Sequence, residues 1–137
     1  MQAGQKELRK LREKLMEYGV IELKENGKII NGIRLIIEVI DFLDANSCKV
    51  MAAKLLTDNT PTVVAIICGA KEPAIAAGSS NDLNLEISPT IINIARNFGG
   101  SGGGKPNFVT AGGMNADVET IKGVVERELT VLLNKKN

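Results

Sequence analysis

Half of the fourteen glycines in this chain stand in one run, Gly99-Gly100-Ser101-Gly102-Gly103-Gly104-Lys105-Pro106-Asn107-Phe108-Val109-Thr110-Ala111-Gly112-Gly113. Glycine loses more backbone entropy on folding than any other residue. An ordered domain therefore keeps such a run only where φ must be positive, or where another backbone or a ligand comes close. On sequence alone the segment reads as a loop between two helices. Its exposed N–H groups would form an anion-binding concavity, and Lys105 would add a charge that a phosphate can use. The spacing is not that of the usual phosphate loops. GxxxxGK[ST] requires Ser or Thr after the lysine, and here Pro106 follows Lys105. A helix, not a strand, is expected before the glycines, which removes the dinucleotide-binding arrangement as well. A plain linker is the bland alternative, but Phe108 and Val109 give the segment apolar groups to bury.

Composition removes further classes. The 137 residues carry no histidine, which excludes Ser-His-Asp and Cys-His nucleophile activation, histidine-bearing zinc sites and histidine acid–base work together. Cys48 and Cys68 show no CxxC pairing and read as buried thiols rather than a zinc site or a secreted disulfide framework. Seventeen basic residues against sixteen acidic give a net charge of +1, so nucleic-acid contact must come from a local patch. Tyr18, Phe42, Phe98 and Phe108 are the whole aromatic set, too few for a platform that stacks successive bases. No apolar stretch approaches a membrane span, and a cytoplasmic protein of one core is expected.

Periodicity gives the elements. Leu8, Leu11, Leu15 and Tyr18 fall on one stripe of an amphipathic helix over Gln5–Tyr18, which either docks on the domain or continues a helical dimerisation region. This divides the chain into an N-terminal helix, residues 1–18, and a globular unit, residues 19–137. An irregular stretch follows Gly19, with a turn at Glu25-Asn26-Gly27. Ile33–Ile40 and Thr62–Cys68 are apolar, β-branched runs of buried strands. Between them a helix capped by Asp44 or Asn46 carries Cys48, Met51 and Leu55, and Asp58-Asn59-Thr60-Pro61 ends it. Gly69–Glu72 turns into a strand over Ala74–Gly78. The next helix takes Ser88 as N-cap and Pro89 at its first position, places Ile91, Ala95 and Phe98 inward, and stops at Gly99. A long helix from Ala116 to Leu133 presents Val118, Ile121, Val125, Leu129 and Leu132, with Lys135-Lys136 as its basic tail. The order is α-β-α-β-β-α-loop-α. The fold class is α+β: a small mixed sheet with helices packed on it, including an N-terminal helix and a long C-terminal one.

The pattern GG-x-GGG-K-P-x-F-x-x-A-GG over Gly99–Gly113 resembles the signature of the DHHA1-type domain that ends alanyl-tRNA synthetases. The order of strands and helices around it is also similar, from about Ile29 to Leu133. Val109 stands where that family often has alanine. The same domain type follows DHH phosphoesterase domains, whose loop usually ends in a histidine; here Lys105 occupies that place, and the catalytic carboxylates and histidines of the preceding domain are absent from the chain.

The resemblance implies a non-catalytic module that binds the elbow of the alanine-specific tRNA, contributes to a homodimer, and works beside the catalytic and editing domains of a parent alanine–tRNA ligase. It implies no cofactor, no metal and no membrane. Its RNA-binding residues would be Gly102, Gly103, Gly104, Lys105, Asn107 and Arg96, and its dimer contacts Leu8, Leu11 and Leu15. Glycine backbone would approach sugar and phosphate as shape recognition, not base-by-base reading. The alternative implication is a substrate-binding domain of a DHH-family phosphoesterase acting on nucleic acid or nucleotides.

Overall fold

In the computed structural model, which describes residues 19–40, 44–57, 60–69, 72–80 and 85–135, the two β-branched runs are adjacent parallel strands. They are β2 (Ile33–Val39) and β3 (Thr62–Cys68), with Leu35 opposite Val63 and Ile37 opposite Ala65. Parallel neighbours need a crossover, and helix α2 (Ala45–Leu55) supplies it. Strand β4 (Ala74–Ser79) returns antiparallel beside β3, and β6 (Phe108–Gly112) pairs antiparallel with β4. The sheet is closed at its two edges by β1 (Lys28–Ile30), paired with β2, and β5 (Ser101–Lys105), paired with β6. The six-stranded order is β1-β2-β3-β4-β6-β5. This is the mixed-sheet α+β class expected from the sequence.

Side-chain alternation sorts the two faces. On one, Val63, Ala65, Ile67, Ile75 and Val109 pack under α3 (Ser88–Asn97) and α4 (Val118–Lys135), which contribute Ile91, Ala95, Ile121, Val125 and Leu129. On the other, Val64, Ile66, Cys68 and Ala76 pack under Cys48, Met51, Ala52 and Leu55 of α2. A helix over residues 19–26, α1, adds Val20 and Leu23 to that second cluster. Every residue of β3 is buried, as a strand covered on both faces must be. Asp44 is the N-cap of α2, its Oδ1 accepting from the Ser47 backbone N–H at 2.7 Å.

Four expectations are corrected. Residues 19–26 are helical, not irregular, because Val20 and Leu23, three apart, bury one side of a turn against α2 and the sheet. Strand β1 was not expected; Asn31 and Gly32, with φ of 52° and 78°, form a two-residue turn that folds it back on β2. Ser88 is not the cap of α3. Ile87 holds that position, and the Ser88 hydroxyl donates to the Lys105 carbonyl oxygen at 2.7 Å, joining the helix start to the glycine segment. The glycine segment is itself a β-hairpin, β5–β6, turning at Pro106-Asn107. The long last helix begins at Val118, where Asp117 Oδ1 accepts from the Thr120 N–H at 2.7 Å. Leu8, Leu11 and Leu15 lie outside the described residues, as do Tyr18, Phe42, Asp58, Asn59 and Lys136.

Candidate functional site

Strand β5 is held by its neighbours rather than by its own side chains. Helix α3 runs beside it: Gly100 N–H donates to the Ala95 carbonyl oxygen at 2.8 Å, and the backbone N–H groups of Ile87 and Ser88 donate to the Pro106 carbonyl oxygen at 3.1 and 3.2 Å. On its inner side β5 pairs with β6, with Gly102 opposite Ala111 and Gly104 opposite Val109. At the closing turn the Asn107 carbonyl oxygen accepts from Ser79 N–H at 2.9 Å. Among the described residues no strand pairs with the outer side of β5, and all five of its residues are exposed. Alternate residues of an antiparallel edge strand turn their N–H and C=O groups outward. The glycine run is therefore an extended backbone edge, and the compact loop concavity expected from the sequence is not formed.

The glycines are not equivalent. A Cβ on Gly100 would collide with the Gly112 carbonyl oxygen, and one on Gly104 with the Phe108 carbonyl oxygen. One on Gly102 would stand 2.8 Å from both the Ala111 Cβ and the Thr110 oxygen. These three, spaced by two, let the β5 and β6 backbones approach closely on the α3 side of the sheet. A Cβ on Gly103 would have no neighbour within 4 Å, and its φ is not positive. Nothing among the described residues requires glycine there.

Gly103 faces the opposite side of the sheet, with Ser101 and Lys105 before and after it. Helix α2 covers β3 and β4 on that face and stops short of β6 and β5. The uncovered strip is an open groove of about 540 Å³, floored by Ser101, Gly103, Thr110 and Gly112, with Asn46 and Lys49 of α2 on its wall. Among the described residues, three cations border the strand. Lys49 stands across the groove, Lys105 ends β5, and Arg96, exposed on the last turn of α3, stands next to the Gly99-Gly100 link that begins it. The strand rises ~3.3 Å per residue, which separates its ends by about 13 Å. Arg96 and Lys105 thus bracket β5 rather than meet. At the near end of α2, the Ser47 N–H holds the Asp44 carboxyl below the usual range. That carboxylate serves the helix N-terminus.

Of the residues proposed from sequence, Gly102, Gly103, Gly104 and Lys105 share the edge strand, Asn107 sits in its turn, and Arg96 flanks its start. Lys49, Asn46 and Thr110 were missed. Only the crossover of α2 over the sheet brings the first two to the groove, and no linear spacing signals it.

Three comparisons place the chain among known proteins. Over 120 residues it is 28% identical to the alanine–tRNA ligase of Prochlorococcus marinus, an alignment that takes in 82% of this chain and 14% of that protein. The chain thus spans about a seventh of the length of the relatives it matches. Among solved structures, the C-Ala domain of Aquifex aeolicus alanyl-tRNA synthetase superposes with a TM-score of 0.67 at 17% identity, covering 80% of this chain and 98% of that one. A DHH-domain protein described as a member of the s1p family of ribosomal proteins superposes with a TM-score of 0.57 at 12% identity, over 86% of this chain and 31% of its own. No family model matches. The sequence similarity and the shared fold agree: the chain is similar to alanine–tRNA ligases over a short part of their length and has the fold of the C-Ala domain.

Proposed function

We propose that this chain is the tRNA-binding C-terminal module of an alanine–tRNA ligase, and that it lays the sugar–phosphate backbone of the tRNA elbow against strand β5. One observation carries the reading: an edge strand with three glycines among its five residues, exposed along its whole length, with a cation at each end and a third across the groove. Such an edge admits a second backbone at close range. Backbone N–H groups and Lys or Arg are the partners that phosphate and ribose oxygens take, and they fix shape and register without reading bases. Gly102, Gly103 and Gly104 supply the surface, Lys105, Arg96 and Lys49 the charge, and Asn107 a flank. Alanine activation and editing belong to other parts of a parent ligase.

The test is a titration of the chain with folded tRNA and with an unstructured RNA of equal length, followed by amide chemical shifts. The folded RNA is expected to bind, weakly, with shifts centred on β5 and the groove wall. Three phosphate contacts predict a slope of log affinity on log salt of about −2 to −3. Equal affinity for the unstructured RNA, or shifts centred on β1 and α4 at the other edge, would sink the proposal.

A further inference from the structure

The crossover that builds the groove wall also brings together two thiols far apart in sequence. Cys48 lies on the first full turn of α2, and Cys68 is the last residue of β3. Both are free, both are 1% exposed, and both belong to the same apolar cluster. The Asp44 carbonyl oxygen serves both residues, accepting from the Cys48 backbone N–H at 3.0 Å and from the Cys68 thiol. Cys48 Sγ also stands 3.1 Å from the Ile66 carbonyl oxygen, and Cys68 Sγ 3.6 Å from that of Asp44. The neighbouring Cys68 thiol, together with burial, pushes the Cys48 thiol up, and the neighbouring Cys48 thiol draws the Cys68 thiol down. Two buried thiols meet in one corner, at the start of α2 and the end of β3, an arrangement from which thiol–disulfide exchange within the chain can run. Cys48 borders the open groove, which gives a small oxidant a way in.

We propose that Cys48 and Cys68 form a reversible intramolecular disulfide, with a small peroxide as oxidant, tying the first turn of α2 to the end of β3 beside the groove. In the first step one thiolate attacks a peroxide oxygen; the O–O bond breaks, a sulfenic acid forms, and the departing hydroxide takes a proton to become water. In the second step the other thiolate attacks the sulfenic sulfur. The S–S bond forms, the S–O bond breaks, and the second oxygen leaves as water. Two thiols lose two electrons and two protons, and the peroxide gains them. Reduction by an external dithiol returns both thiols. Neither step depends on the RNA reading.

The experiment treats the dilute, folded full chain with hydrogen peroxide, alkylates remaining thiols in denaturant, and maps the peptides by mass. The expected result is one linked pair of peptides carrying Cys48 and Cys68, lighter than the two thiol peptides by two hydrogen atoms and unalkylated. Dithiothreitol should restore both thiols, and the oxidised chain should unfold at higher urea than the reduced one. C48S and C68S should each leave the remaining sulfur unlinked within the chain. Alkylation of both cysteines after peroxide, links only between chains, or oxygen added to one sulfur without linkage would each overturn the proposal. The wild-type map decides even where a serine variant fails to fold, and it is read without RNA.

Discussion

Strands β3 and β5 belong to one sheet, separated by β4 and β6, and are held in it by opposite means. β3 has seven residues, all buried, and presents Val63, Ala65 and Ile67 to one core cluster and Val64, Ile66 and Cys68 to the other. Its place is set by side-chain volume. β5 has five residues, all exposed, three of them glycine, and is set by backbone: a ladder to β6, bonds from α3, and close approach at Gly102 and Gly104. A strand of the first kind resists change everywhere. A strand of the second kind resists change only where backbones touch, and elsewhere it is open to an outside partner.

The largest effect belongs on β3. Ile67 is fully buried between α3, α4 and the sheet, and I67A removes atoms that well-packed neighbours refill only in part. It should cost about 3 kcal/mol of unfolding free energy, read from urea denaturation. A cost no greater than that of an alanine on β5 would break the contrast at its strong end.

Next comes Gly104, where the two kinds of constraint meet. Its φ is 153°, and a Cβ there collides with the Phe108 carbonyl oxygen, so G104A must move the hairpin. The expected cost is about 2 kcal/mol, with amide shifts confined to β5, β6 and the start of α3. Undisturbed hairpin shifts would show that the approach of the two strands is not what fixes this glycine.

The same contrast explains what could be read without a structure. β3 was legible because its run of β-branched residues can only be satisfied by burial, and α2 and α4 because Cys48, Met51, Leu55 and Ile121, Val125, Leu129 repeat at helical spacing. β5 was not. Glycine carries the weakest strand preference, and Ser101–Lys105 has no alternating pattern, so its strand state comes from β6 and α3, which lie outside the segment itself. β1 could have been found, since Asn31-Gly32 is a strong two-residue hairpin signal; reading Asn26-Gly27 as the turn hid it. The family signature singled out this segment. It could not say that three of its glycines serve the fold and one faces the groove, or that Lys49 stands opposite.

Smaller effects test the open side of β5. K105A removes an exposed cation that no core residue needs, so unfolding free energy should stay within about 0.5 kcal/mol. The salt slope of tRNA binding should lose about one unit, with weaker affinity for every folded tRNA alike. An unchanged slope would remove Lys105 from the interface and leave the strand's charge to Arg96 and Lys49.

The smallest effect on stability carries the sharpest information. A methyl at Gly103 meets nothing within 4 Å and asks for no unusual φ, so G103A should be neutral, or stabilise by about 0.5 kcal/mol through the lower entropy of the unfolded chain. G102A, on the other face, should destabilise, because its methyl lies 2.8 Å from Ala111. Binding should separate the two in the other direction. The Gly103 methyl projects from the groove floor and holds a ribose or phosphate away from the strand, so tRNA affinity should fall several-fold in a protein that folds as well as the parent. Stability measured by urea and affinity measured at fixed salt then report on different faces of one strand. If G103A binds tRNA as the parent does, the groove face is not the contact surface, and any RNA must lie along the outer edge alone.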